Sequence, residues 1–311
     1  MGRRRIWLAG SIIPAALFYI MLYASPVGIS PNNAAVWMGI AVFGFYTAMT
    51  AVSVPHLSLG AEATQDSYSR NKLFGMRHAM IGVGSILALV TLTWLTNIDP
   101  NDSQALRQTS LQFAIFAGLV SVSFVLATAW GFREPDNLSS TSDTTGSVEG
   151  VYSASISILK NRNARLLLIV QFIESIGSGA LGAAALYVAQ YVMGNIGIAP
   201  YIIVSYLVMS TVSIPLWVRV SKRIPKVSLW IATMAGSAIS YGGLFTLVFF
   251  EQGTLQVGVL IALSLISGTM SGCAHTMGPS VLSDIIDENE LQTGTRKEGA
   301  HFALYLSLIH I

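Results

Sequence analysis

Of the 15 acidic residues in the chain, only Glu174 falls well inside an apolar run. At mid-bilayer depth a charge costs from roughly 2.5 kcal/mol upward on insertion scales, so an acidic side chain there faces a cavity or a partner. Gln171, Glu174, Ser175 and Ser178 recur at i, i+3, i+4 and i+7, which makes one polar stripe on one helix face. Such a stripe can accept hydroxyl protons from a polar solute, and Glu174 can carry a proton. The competing readings are a structural hydrogen bond to a neighbouring helix, or a site one turn from the cytoplasmic surface, since Arg165 is only nine residues away. Tyr46, Thr50 and Ser53 repeat the spacing i, i+4 and i+7 and are followed by Pro55 and His56. A proline loosens a helix and frees a carbonyl, which is tolerated in membranes where the helix lines a cavity. Plain packing through small residues is the alternative.

A third group is ionic. Glu62, Asp66 and Arg70 stand beyond the end of one apolar run, and Asp284, Asp287 and Arg296 beyond the end of another. Opposite charges at both places suit a set of salt bridges that closes a gate between helix ends. Solvated loop charges are the alternative, and rim ion pairs are individually weak, so such a gate must act as a network. Other chemistry lacks its residues. There is no HExxH, GxSxG or Walker A pattern, and His56, His78 and His275 lack ligand spacing. The single cysteine, Cys273, lies in an apolar stretch, which excludes disulfides and cysteine-based metal sites. No enzyme and no cofactor is expected.

The elements that position these residues follow from composition. The chain has 311 residues, 53% hydrophobic and only 10% charged, with a mean hydropathy of +0.62. Soluble domains carry about 25% charged residues. A net charge of +2, with no like-charge block longer than Arg3–Arg5, argues against a nucleic-acid partner. Apolar runs long enough to cross a bilayer, about 17–25 residues, lie at 6–25, 34–59, 73–95, 111–130, 166–192, 199–218, 227–250 and 255–282. A ninth begins near residue 299 and reaches the last residue too soon to span. The fold class is therefore all-α: a polytopic membrane protein of eight complete helices and a partial ninth.

Charge distribution checks that count. Alternate loops hold 16 of the 17 basic residues, and the other set holds only Arg107. The positive-inside rule puts the N-terminus and the basic loops in the cytoplasm, which for a bacterial protein means an inner-membrane location. The segment DNLSSTSDTTGSVEG (136–150) is polar and rich in Ser and Thr, and reads as part of a linker over 132–165. It separates one helix bundle, 1–131, from a second, 166–311. The bundles look alike: GRRRIWLAGS (2–11) matches SKRIPKVSLWIATMAGS (221–237), and AEATQDSYSRNKLFGMR (61–77) matches SDIIDENELQTGTRKEGAHF (283–302). Both pairs lie on the same side, so the repeat is parallel, as in the two halves of major facilitator transporters.

The GRRR segment, PHLSLGAEATQDSYSRNKLFGMR (55–77) and SDIIDENELQTGTRKEG (283–299) together resemble the glycoside–pentoside–hexuronide:cation symporters, the melibiose-permease-like branch of the major facilitator superfamily. The late motif of that family is matched by Asp284, Asp287, Gly294, Arg296, Glu298 and Gly299. The resemblance runs from the family's third helix to the start of its eleventh, and implies two helices before this chain and more after it. It also implies that Arg77 faces a substrate cavity, although an arginine at a helix start can equally snorkel to the interface. Melibiose-type members carry Asp where Ser53 stands and an aromatic where Leu57 stands, so the resemblance does not by itself imply sodium coupling or galactoside stacking. The implied function is alternating-access symport of a small polar solute, a glycoside or sugar, with H+ or Na+ across the lipid bilayer. Lipid or drug transport on the same fold, and a truncated chain that inserts without transporting, are the other readings. The sequence leaves the oligomeric state open.

Overall fold

A computed structural model describes residues 3–99, 101–132, 151–294 and 297–309. The described residues form helices α1 (Arg3–Tyr23), α2 (Pro31–Glu62), α3 (Ser67–Thr96), α4 (Ser103–Gly131), α5 (Val151–Lys160), α6 (Arg162–Tyr187), α7 (Ala199–Val212), α8 (Ile214–Val220), α9 (Lys226–Gly243), α10 (Thr254–Thr293) and α11 (Glu298–Ile309). Strands are absent among the described residues. Among the described residues eight helical segments are long and apolar enough to cross a membrane, one for each run expected from the sequence.

Three details differ from the sequence expectation. The run 199–218 breaks at Ser213 into α7 and α8. Pro215 lacks an N–H and its ring crowds the preceding turn, and the break is tied down from outside. Ser213 Oγ and Trp217 Nε1 both donate to the Thr269 carbonyl of α10, at 3.2 and 2.6 Å. Residues 132–165 are not all linker, because α5 occupies Val151–Lys160 and Asn161 then caps α6 through its side-chain oxygen. The stretch 136–150 lies outside the described residues. Finally, α10 runs on past residue 282 to Thr293, where Gly294 ends it in the left-handed conformation (φ 67°) that glycine adopts without strain. Forty residues make a helix about 60 Å long, twice the hydrocarbon thickness. Asp284 and Asp287 therefore sit on its overhanging part.

Packing divides the chain into two compact units, Met1–Ala63 with Ala88–Thr145, and Thr64–Leu87 with Gly146–Ile311. The first half of α3 thus packs with the helices that follow the long polar segment. In the first unit α1 lies against α2 and α4. Its core gathers Leu8, Ile12, Ala15, Ala48, Val52, Leu59 and Ala129. Arg5 donates to the Ala129 and Trp130 carbonyls, and Arg4 pairs with Glu62.

In the second unit α10 is central, flanked by α7 and α9. Its residues from Ser264 onward are small at four-residue intervals: Ser264, Gly268, Gly272, Thr276, Ser280. A side chain on Gly268 would run into the Tyr206 carbonyl, and one on Gly272 would lie 2.5 Å from the Ser210 carbonyl. The two backbones touch there, the close approach that small-xxx-small spacing permits between membrane helices.

Candidate functional site

Two polar sites lie within the second unit. The first is at the end that carries the basic loops. Arg70, on the first turn of α3, is 1% exposed. Its Nη1 donates to Asp284 Oδ1 and its Nη2 to Asp287 Oδ2, each at 2.8 Å, and its Nε donates to the Thr64 carbonyl. Lys226, which opens α9, bonds the other Asp284 oxygen at 2.7 Å and donates to Ser280 Oγ at 2.9 Å. Ser280 donates in turn to Asn71 Oδ1 at 2.6 Å, and Asn71 Nδ2 donates to Ser221 Oγ at 3.1 Å. Charge-assisted bonds of this length are the strong class, and the network ties α3 and α10 to the start of α9.

Of the ionic residues singled out in the sequence, the structure brings together Arg70, Asp284 and Asp287. Glu62 is elsewhere, paired with Arg4 in the first unit. Asp66 instead caps α3: its Oδ2 accepts from the Ser69 N–H at 2.8 Å. Hydrogen bonding to Ser69, side chain first and backbone second, holds the Asp66 carboxyl below the ordinary carboxylate range. Arg296 lies outside the described residues. Sequence reasoning missed Lys226, although the repeat contained the signal. Lys226 and Asp284 each lie 222 positions beyond Arg4 and Glu62, so the same ion pair occurs once in each half.

The second site is deeper. Arg77 follows Arg70 by seven residues, about 10 Å along α3. It is half-buried and makes no hydrogen bond or ion pair with any described residue. Glu174 lies 12 residues into α6, about 18 Å from its start and so near mid-bilayer depth. It too is half-buried, without a hydrogen-bond or ion-pair partner among the described residues. Tyr305 of α11, 5% exposed, lies within electrostatic reach of both. Gly278 on α10 makes room for its hydroxyl, because a Cβ there would lie 2.8 Å from Tyr305 Oη. Tyr206 of α7 and Cys273 of α10 also lie within reach of the Glu174 charge. On the Arg77 side, the rings of His78 and His275 stack at 4.6 Å, and His78 Nε2 bonds Ser210 Oγ at 3.0 Å.

The stripe on α6 divides its work. Gln171, 7% exposed, donates to Ser175 Oγ at 3.3 Å, so those two satisfy each other. Glu174 and Ser178 remain available. On α2, in the first unit, Thr50 Oγ1 donates to the Tyr46 carbonyl of its own helix at 2.8 Å. Tyr46 is exposed and packs edge-on against Phe45, and Ser53 is half-buried. Tyr305 was invisible to the sequence reading because it falls in the short ninth run. No group of three or more His, Cys, Asp or Glu side chains among the described residues is placed to hold a metal ion.

Comparison with known proteins agrees with this architecture. The family model described as "MFS/sugar transport protein" matches residues 1–311. The chain is 22% identical over 308 residues to the "Glucuronide carrier protein homolog" of Escherichia coli, covering 98% of this chain and 64% of that protein. It is 30% identical over 135 residues to an uncharacterized symporter of Synechocystis sp., covering 42% of this chain and 24% of that protein. The chain therefore spans less than two thirds of either relative. Among solved structures it resembles the major facilitator transporter FucP in an outward conformation (TM-score 0.59, 13% identity, 98% of this chain and 81% of that one). It likewise resembles the proton:xylose symporter XylE bound to 6-bromo-6-deoxy-D-glucose (TM-score 0.60, 14% identity, 99% and 78%). These last two likenesses show the major facilitator fold. A match along its whole length places the chain in the MFS/sugar transport protein family, and its homologues agree with the glycoside–pentoside–hexuronide branch.

Proposed function

We propose that the protein is a proton-coupled symporter of a glycoside whose sugar is acidic, working by alternating access with its basic loops in the cytoplasm. One observation carries this reading. Arg77 and Glu174 are opposite charges at depth in apolar helices, and neither finds a hydrogen-bond or ion-pair partner among the described residues. Charges so placed are costly unless they serve a passing ligand. The Arg77 guanidinium presents donors in a planar fork that matches a carboxylate, such as that of a uronic acid. Glu174 and Tyr305 offer acceptor and hydroxyl groups for the sugar, and Glu174 carries the coupled proton. The E. coli relative named as a glucuronide carrier homolog supports the acidic sugar, and the name of XylE, a proton:xylose symporter, supports the proton. The Arg70 network is the gate at the cytoplasmic end, closed while α3 and α10 are joined.

The test is affinity of the purified full-length protein for methyl β-D-glucuronide against methyl β-D-glucoside. Wild type favours the glucuronide, and Arg77→Gln erases the preference, a loss of about 10- to 150-fold for a hydrogen bond to a charged group. A preference that survives in Arg77→Gln, or a wild type that binds neither sugar, refutes the assignment.

A further inference from the structure

At the end of the second unit that carries the basic loops, the chain turns from α5 into α6 at Asn161. Lys160, Arg162 and Arg165 stand at this corner, all three exposed. Among the described residues none of them has an ion-pair partner. We propose that the corner binds a phospholipid with an anionic headgroup, its phosphate held by these cations and an acyl chain lying along the outer face of α6. The site is separate from the solute site and does not depend on what is transported.

Helical phase sorts α6 into two faces. Ala164, Leu167 and Gln171 are buried, and Asn163, at the edge of that face, donates to Glu288 Oε2 of α10 at 2.9 Å. This side looks into the unit. On the other side Arg162, Arg165, Leu166, Ile169 and Ile173 recur at i, i+3, i+4, i+7 and i+11, and all five are exposed. An apolar strip about 10 Å long therefore runs up to two arginines. Long cationic side chains placed where an apolar face ends lie at headgroup level.

The short helix α5 widens the site. Ile158 is 2% exposed and fixes the helix to the unit. Ile156, Leu159 and Lys160 share another face at i, i+3 and i+4, and there both aliphatic side chains are exposed. A helix with an apolar face edged by lysine suits the plane of a membrane interface. Asn161 holds α5 and α6 together. Its N–H donates to the Ile158 carbonyl at 3.0 Å, and its side-chain oxygen accepts from the Asn163 and Ala164 N–H groups at 2.9 and 3.1 Å. Those N–H groups are thus engaged, so the cations carry the site and not the helix end.

Charge then selects the ligand. The arginine fork matches a phosphate. A zwitterionic headgroup sets its own ammonium against that phosphate, whereas an anionic one leaves net charge for the three cations. Near such a surface each Lys or Arg contributes about fivefold in binding. Arg219, Lys222 and Arg223, around the turn from α8 to α9, are equally basic, and Lys222 lies over the Tyr68 ring at 4.3 Å. The positive-inside rule accounts for cations at both places. It does not account for the exposed Ile156 and Leu159 beside the first set, on a helix too short to span.

The test uses the purified full-length protein in uncharged detergent, titrated with phosphatidylglycerol or phosphatidylcholine of identical acyl chains, with bound lipid read by native mass spectrometry. Wild type is compared with Lys160→Gln/Arg162→Gln/Arg165→Gln, with Ile156→Ser/Leu159→Ser, and with the control Arg219→Gln/Lys222→Gln/Arg223→Gln, each checked for monodispersity and melting temperature. Wild type prefers phosphatidylglycerol by at least about tenfold. The first variant brings the preference close to one, the second weakens phosphatidylglycerol by about tenfold, and the control keeps most of the preference. A preference retained in the first variant overturns the site. So does one lost equally in the control, because binding then follows net charge alone. Displacement of the lipid by inorganic phosphate, with the second variant unchanged, also overturns it, since a free anion is then the occupant. A wild type that binds neither lipid and dimerises, when the first variant does not, overturns it as well, because a second copy then covers the corner.

Discussion

Replacing Arg70 by Gln removes the centre of the network that joins α3 to α10. Arg70 is 1% exposed and donates to two carboxylates at 2.8 Å. A hydrogen bond to a charged group contributes about 1.5–3 kcal/mol, and the two would amount to several kcal/mol if both partners were buried. They are not. The Asp284 and Asp287 side chains are 45% and 31% exposed, so solvent screens both pairs. Asp284 also keeps Lys226 at 2.7 Å when Arg70 is gone. The expected loss is therefore about 1–3 kcal/mol, or about 5- to 150-fold in the ratio of closed to open gate. The readout is a cysteine at His275, whose side chain is exposed though it stacks on His78 deep in the unit, placed in a Cys273→Ala background. In inside-out vesicles, Arg70→Gln speeds its modification by a maleimide by roughly that factor, and Asp287→Asn does so by less. Residues in one network are not additive, so the double variant shows less than the sum of the two effects. Unchanged modification rates in both single variants refute the gate.

Gly268→Leu drives a side chain into the Tyr206 backbone, which has no rotamer to escape through; a loss beyond the usual 1–3 kcal/mol of overpacking is expected, read as a melting-temperature drop that Gly258→Leu, in open space, does not share. Asp66 caps α3 with its carboxyl held below the ordinary value of 3.8. Its contribution is present above pH about 4 and lost as pH falls through the depressed value, so the stability difference between wild type and Asp66→Ala shrinks below that pH and is constant above it. A cysteine at Ser103 is expected to react with an impermeant maleimide in intact cells and one at Ser157 is not; the reverse pattern would invert the orientation.

The eight spanning segments were legible because apolar length is a strong signal on its own. What perturbs a helix inside such a run was not. The break at Ser213 depends on Pro215 and on the Thr269 carbonyl that Ser213 and Trp217 find on α10. The helix α5 lay hidden beside a polar stretch that reads as linker throughout. Arg70, Asp284 and Asp287 could be grouped from sequence, since opposite charges at helix ends seek each other. Glu62 and Asp66 could not be separated from them, because the choice between a cap, a local pair and a long-range pair is made by tertiary geometry. For Thr50 the sequence shows a hydroxyl but not that it is bonded to its own helix at the Tyr46 carbonyl, a common fate of helical threonine. Glu174 stood out because a carboxylate is rare in an apolar run. Tyr206 and Tyr305 did not, since aromatic residues are ordinary there, and only packing brings them to Glu174.

Proton coupling through Glu174 is tested most directly by replacing it with Gln in the full-length protein, reconstituted into liposomes under an inward proton gradient. Wild type accumulates labelled methyl β-D-glucuronide and acidifies the lumen as it does so. Glu174→Gln is expected to reconstitute equally well and to exchange the solute across the bilayer, yet to lose both accumulation and the solute-driven proton flux. Accumulation and proton flux at the wild-type level in Glu174→Gln would contradict the account and leave Glu174 a packing residue.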